Sequence, residues 1–244
     1  MSVARAPARR AALRRLAAVT VTALALTACA GTSTDAEPTA AGSEGWHGIE
    51  PEPVPERPRF VLRDTSGREF DFAAETGGEP TYVYFGYTDC PDECPTAMAD
   101  IAAALRQADP DLRDDVNVVF VTTDPERDTP ERLRDWLARF DERIVGLVGT
   151  QAEVDAAQRA AGIRPAARGG EIPTLPGKPN EHAHASGTAP HSHDRPLGYA
   201  VEHANVIFAY DVDDRLPVLY PAGSTAGDLA ADLPKLATPA EDRS

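Results

Sequence analysis

The chain predicts a mixed α/β domain, and three observations carry that expectation. Two near-continuous apolar runs, at 81–86 and 116–121, read as strands buried on both faces, as in a parallel sheet. Segments of helical period alternate with such runs, at 95–107, 130–140 and 151–162. An antiparallel pair at 206–210 and 217–220 follows, and a helix at 225–236 closes the order. With a Cys-x-x-x-Cys motif standing directly after the first buried run, the economical architecture is thioredoxin-like.

Each element has a local reason. Phe60-Val61-Leu62 and Phe70-Asp71-Phe72 flank the turn Asp64-Thr65-Ser66-Gly67 and predict an N-terminal β-hairpin. Residues 95–107 place Met98, Ile101, Ala102 and Leu105 on one helical face. Thr129 caps the next helix and Pro130 takes its first position, where no amide donor is needed. Leu133, Trp136, Leu137 and Phe140 form its inner face. A short strand at 144–148 leads into a helix that stops at Gly162. From 164 to 200 the chain is too polar, and too rich in Gly, Pro and His, to be core. It reads as a long loop insertion holding His182, His184, His191 and His193.

The N-terminus reads differently. Residues 1–15 carry five arginines and no acid, and the apolar run at 16–26 falls short of the ~20 residues a membrane span needs. It suits a signal-peptide core, ending in Leu26-Thr27-Ala28-Cys29-Ala30, which resembles a bacterial lipobox. Residues 1–28 are therefore expected to be a lipoprotein-type signal peptide, with Cys29 acylated as the first residue of the mature chain. Arg9-Arg10 can also be read as a twin-arginine signal, but no serine-and-phenylalanine context surrounds the pair, so the export route stays open. Either route places the protein at the extracytoplasmic face of a bacterial cell membrane, lipid-anchored. Residues 29–58, rich in Pro, Gly, Ser and Ala, are expected to be a flexible tether. The folded domain is expected over 59–236 and a short tail over 237–244.

The formal charge is −15; without the five N-terminal arginines, 19 Lys+Arg remain against 39 Asp+Glu, which gives −20. A balance this acidic argues against a nucleic-acid partner.

Apart from Cys29, Cys90 and Cys94 are the only cysteines. At the start of a helix both sulfurs feel the positive end of its dipole, which favours thiolate. Because Pro95 is tolerated only in the first turn, Cys94 is expected as the cap residue with Cys90 in the preceding loop. Asp89, Asp92 and Glu93 oppose further negative charge, a conflict that a bound cation relieves. The pair can form a disulfide, exchange with another, or hold a soft metal ion. Thiolates select Cu(I), and an added imidazole accommodates Cu(II). His203 offers an imidazole at the head of the strand 204–210, although a structural histidine there is the plainer alternative.

Several motifs together resemble one family. Phe85-Gly86-Tyr87-Thr88-Asp89-Cys90-Pro91-Asp92-Glu93-Cys94-Pro95 resembles the signature of the Sco/SenC copper chaperones. Thr123-Asp124-Pro125-Glu126-Arg127-Asp128-Thr129-Pro130-Glu131 is similar to the family's second motif, and Gly149-Thr150-Gln151-Ala152-Glu153-Val154 to its third. Val201-Glu202-His203-Ala204 falls where the family carries its metal-binding histidine. The resemblance implies a thioredoxin-like domain holding copper through Cys90, Cys94 and His203. It implies cytochrome c oxidase subunit II as the partner whose binuclear copper centre is assembled, with another copper chaperone as a possible donor. Asp124 and Asp128 match the family's acidic motif; they take either a supporting role or a helix-capping role around Thr129.

Three other functions stand beside copper delivery. A thiol–disulfide oxidoreductase that keeps the subunit's copper-ligand cysteines reduced needs Cys90 and Cys94 but has no obvious use for His203 as a ligand. A peroxidase of the same fold class fits a closely spaced, acid-flanked pair poorly, and a purely structural protein fits least. His182-Ala183-His184 and His191-Ser192-His193 read equally as an auxiliary copper or zinc collector or as a tolerated flexible insertion.

Overall fold

The structure, a computed structural model, describes residues 45–169 and 200–243. In chain order its elements are β1 (Val61–Asp64), β2 (Glu69–Asp71), α1 (Phe72–Thr76), β3 (Thr81–Gly86), α2 (Glu93–Gln107), α3 (Pro110–Asp114), β4 (Asn117–Thr122) and α4 (Pro130–Leu137). They continue with β5 (Val145–Val148), α5 (Gln151–Ala160), β6 (Ala167–Gly169), β7 (Ala200–Glu202), β8 (Val206–Tyr210), β9 (Val218–Pro221) and α6 (Ala226–Leu236). No helix among the described residues is long and apolar enough to cross a membrane.

Seven strands form one sheet in the order β2-β1-β5-β4-β3-β8-β9. β3 and β5 lie parallel to β4, while β8 pairs antiparallel with β3 and with β9. The two-residue alternation of a strand splits the core into two layers. Tyr82, Tyr84, Phe120, Ala209 and Tyr220 face α2, α4 and α6, burying Met98, Ile101, Leu133 and Leu233. Val83, Phe85, Val119, Val121 and Phe208 face the other way, against Leu62, Phe70, Phe72 and α5. A side chain of this size contributes roughly 1.5–3 kcal/mol when fully buried, so these two layers, more than the short strands, hold the domain together.

Register decides where chemistry can gather. Tyr84 lies opposite both Phe120 and Ile207, and Gly86 opposite Thr122. The end of β3, the end of β4 and the start of β8 therefore share one edge of the sheet. The loops at 87–92, 123–129 and 203–205 all leave from that edge.

Four differences from the sequence reading have physical causes. Phe72 does not extend the hairpin: Asp71 ends β2 and its carboxylate accepts from the Ala74 amide at 3.2 Å, starting α1. The short α3 has no buried residue, hence no apolar period to announce it. The insertion expected over 164–200 is pinched at its base, where β6 and β7 pair antiparallel; its four histidines lie outside the described residues.

The fourth difference is the tether. Residues 45–58 lie against the domain, so any tether lies ahead of residue 45. Ile49 pairs with Leu219 and Glu56 with Arg215. The His47 amide and ring both bond the buried Asp232 carboxylate, at 2.7 and 2.8 Å, and the cations of Lys235 and Arg243 lie over the Trp46 ring at 5.6 and 5.4 Å. Gly48 permits the approach, because a Cβ there would stand 2.4 Å from the Leu219 carbonyl oxygen. Composition averaged over 29–58 hides these few anchors among prolines and small residues.

Candidate metal centre

α2 begins at Glu93, two residues earlier than the sequence reading places it. Asp92 is the N-cap and makes no side-chain cap bond. The Cys94 amide, second in the helix, instead donates to Cys90 Sγ at 3.3 Å. A thiolate sulfur thus takes the role of a capping oxygen and satisfies one amide that the first turn leaves unpaired. Cys94 is accordingly inside the helix, not its cap; Pro95 is third and still needs no amide donor. Neither cysteine is in a disulfide and both are buried.

The third member comes from far along the chain. His203 lies in the 203–205 segment between β7 and β8, its Nε2 3.5 Å from Cys94 Sγ. Its Nδ1 lies 3.1 Å from the Ala204 carbonyl oxygen. Assigning the ring proton to that contact leaves the Nε2 lone pair facing the sulfurs. One ligand atom each from Cys90, Cys94 and His203 lie within 4.8 Å of one another, with both cysteines buried and the histidine partly exposed.

Aromatic residues wall the group. The Tyr84 and Tyr87 rings meet His203 edge-on, with centroids at 6.0 and 5.6 Å. The Tyr84 hydroxyl lies 3.9 Å from Cys94 Sγ and donates to Asn205 Oδ1 at 2.8 Å. Gly86 is required behind the sulfur, since a Cβ there would stand 2.8 Å from Cys94 Sγ.

The acidic motif acts from below. Asp128 is buried and accepts from the Thr88 amide, the Thr88 hydroxyl and the Thr122 hydroxyl, so it staples the cysteine loop to the end of β4. The helix cap is Thr129 itself, whose hydroxyl accepts from the Arg132 amide. Asp128→Asn puts an amide among three donors, and the expected loss is about 1–3 kcal/mol, read from the urea midpoint. Asp124 is also buried; its carboxylate accepts from Arg127, whose guanidinium lies 5.5 Å over the Tyr87 ring. Asp89 pairs with Arg127 and Arg132, so its charge is already balanced. Among the acids flanking the cysteines, Asp92 and Glu93 are the ones exposed to solvent.

The two sulfurs titrate apart. The Cys94 thiol, donating to Cys90, lowers the Cys90 pKa most; the amides of Cys94 and Asp92 help, against burial. Burial chiefly raises the Cys94 pKa, and the hydrogen bond and charge of Cys90 add to it. Cys90 is the thiolate and Cys94 keeps the proton. With its folded pKa below the ordinary value of 9.0, Cys90 contributes stability above that value, and loses it as pH falls through the folded one. Near pH 7 an alkylating reagent is therefore expected to modify Cys90 before Cys94 in the apo-protein, as read by mass spectrometry. Equal rates at both would sink this asymmetry.

All three sequence-predicted ligands come together here. Cys29 lies outside the described residues. Tyr84, Thr88, Arg127 and Asn205 were not singled out. A signal existed for Tyr84 alone: a phenol in a fully buried strand must find a partner for its hydroxyl.

A family model described as SCO1/SenC matches residues 50–238. The human mitochondrial Protein SCO1 homolog is 33% identical over 115 residues, which are 43% of this chain and 38% of that protein. A putative copper-binding protein of Stutzerimonas stutzeri is 32% identical over 107 residues, 43% of this chain and 52% of its own length. The chain thus spans about half or less of these curated relatives. Bradyrhizobium japonicum ScoI with copper bound is a structural neighbour at TM-score 0.56 and 29% identity, covering 75% of this chain and 100% of that one. Apo Sco1 from Thermus thermophilus gives TM-score 0.63 at 23% identity, covering 80% and 99%. These likenesses show the thioredoxin-like fold that the sequence predicts.

Proposed function

This chain belongs to the SCO1/SenC family, and from that premise we propose that it is a membrane-anchored extracytoplasmic chaperone delivering copper to the binuclear site of cytochrome c oxidase subunit II. One observation carries the reading: two sulfurs and an imidazole nitrogen converge within 4.8 Å from separate parts of the chain. The copper-bound B. japonicum relative supports the choice of metal.

The residues divide the work. Cys90 supplies a thiolate already formed, while Cys94 releases its proton when it ligates. His203 supplies Nε2, which extends a thiolate site suited to Cu(I) toward Cu(II). Partly exposed, His203 is the ligand an incoming partner reaches first, which suits release by ligand exchange. Acylation at Cys29 and a tether over 29–44, about 16 residues or roughly 50 Å at full extension, would hold the domain near its membrane partner. The donor is another copper chaperone.

The test is transfer of copper from the loaded full chain to apo subunit II. Copper should leave this protein and appear in the subunit's thiolate spectrum; a chain that takes up no copper sinks the reading.

The split protonation of the sulfurs also favours thiol–disulfide exchange. The Cys90 thiolate attacks a partner disulfide and one partner thiolate leaves. Cys94 then loses its proton and attacks the mixed disulfide, releasing the second partner thiol. Two electrons pass to the partner and a Cys90–Cys94 disulfide remains. His203→Ala separates the readings, because it removes a copper ligand and leaves both sulfurs.

A further inference from the structure

Nothing in the strand ladders holds His203 in place. β7 ends at Glu202 and β8 begins at Val206, so residues 203–205 belong to neither. Tyr84, by contrast, is fixed. It lies in β3, paired on both sides, opposite Phe120 and Ile207, is 1% exposed, and packs its ring against Phe120 at 6.0 Å. A phenol has one proton, and this one goes to Asn205 Oδ1 at 2.8 Å. The same oxygen stands 3.9 Å from Cys94 Sγ, and the same ring meets the imidazole edge-on. One rigid side chain therefore touches a sulfur, the histidine and the segment that carries it.

We propose that the Tyr84–Asn205 hydrogen bond is the latch that holds His203 as the third ligand, making Tyr84 a positioning residue that decides between a three-ligand and a two-ligand site. This rests on the copper reading above. With the latch shut, the imidazole is held ready and the segment loses little freedom on ligation. With it open, the 203–205 segment must be ordered at that moment, and both affinity and residence of the metal fall.

The experiment compares the full chain with Tyr84→Phe, Asn205→Leu and Asn205→Asp. Asn205→Asp keeps an acceptor oxygen for the phenol. Two measurements are made: the ring nitrogen signals of His203 by NMR in the apo-protein, and the Cu(II) electron paramagnetic resonance spectrum with the copper dissociation constant. Tyr84→Phe and Asn205→Leu are expected to move the ring signals, weaken the imidazole nitrogen coupling, and raise the dissociation constant about 10–100-fold, as loss of an outer-shell partner does. Asn205→Asp is expected to restore all three toward the parent. If Tyr84→Phe fails to fold by circular dichroism, Asn205→Leu carries the test from the partly exposed side. Unchanged ring signals, spectrum and affinity in a folded Asn205→Leu overturn the latch. If the parent binds no copper while the ring signals still move, the copper reading falls and with it the ligand role of His203, while the hold of the Tyr84–Asn205 bond on the ring stands.

Discussion

Cys90→Ser and Cys94→Ser are each expected to reduce copper uptake from about one ion per chain to none that survives gel filtration. His203→Ala is expected to keep Cu(I) on the sulfurs but lose the Cu(II) form. The three side chains are not equivalent. Replacing Cys90 removes the preformed thiolate and the sulfur that caps α2 through the Cys94 amide. Serine oxygen is a harder ligand, poorly matched to Cu(I), and its hydroxyl does not ionise in the accessible range. Replacing Cys94 removes a sulfur in contact with both His203 Nε2 and the Tyr84 hydroxyl. His203 is partly exposed, so its loss disturbs packing least. Metal analysis after gel filtration measures the first effect, and the thiolate-to-Cu(II) absorption band measures the second. Retention of that band in His203→Ala, at parental affinity, would mean the imidazole is no ligand.

Arg57→Ala is expected to destabilise the domain by about 3–5 kcal/mol, because it leaves several buried acceptors unpaired at about 1–3 kcal/mol each. At roughly 2–4 °C per kcal/mol for a domain of this size, the midpoint falls by about 6–20 °C. The guanidinium side chain is only 2% exposed. Its Nε donates to Asp214 at 2.7 Å, one terminal nitrogen to the Thr76 and Thr81 hydroxyls at 2.9 Å, and the other to the carbonyls of Glu79 and Asp211. It also lies over the rings of Phe72 and Tyr210. Alanine leaves those acceptors facing a void, and lysine reaches only part of them because it lacks the planar fork. In thermal denaturation the midpoints of the parent, Arg57→Lys and Arg57→Ala should fall in that order. A fragment starting at residue 59 loses this residue altogether and should melt like Arg57→Ala or lower. A midpoint within a degree or two of the parent would show that the cluster repacks.

Arg57 also shows where local reading stops. It stands among Pro55, Glu56 and Pro58, in a stretch whose composition matches a disordered linker. Its partners lie 19 to 157 positions away, so no window around it reports them. Asp128 is similar: Thr129-Pro130 nearby signals a helix start, but the Thr88 amide it binds is 40 positions earlier. Where the cause is local, the sequence is legible. Thr81–Gly86 and Asn117–Thr122 fall within a residue of their apolar runs, and Thr129, Thr150 and Thr225 cap helices as their hydroxyls allow. The start of α2 is misplaced by two residues because the capping atom is a sulfur four residues ahead of the amide it accepts from.

By itself the sequence determined the strands of the main sheet, the helices α2, α4, α5 and α6, the family motifs and the closeness of Cys90 to Cys94, since all of these depend on neighbours a few residues apart. Only the tertiary structure decided that His203 Nε2 meets a sulfur 109 positions earlier, that Asp128 underpins the cysteine loop, and that residues 45–58 join the domain. The physical reason is register. Parallel pairing of β3 with β4 and antiparallel pairing of β3 with β8 bring three distant loops to one sheet edge, and no local periodicity encodes which strands become neighbours.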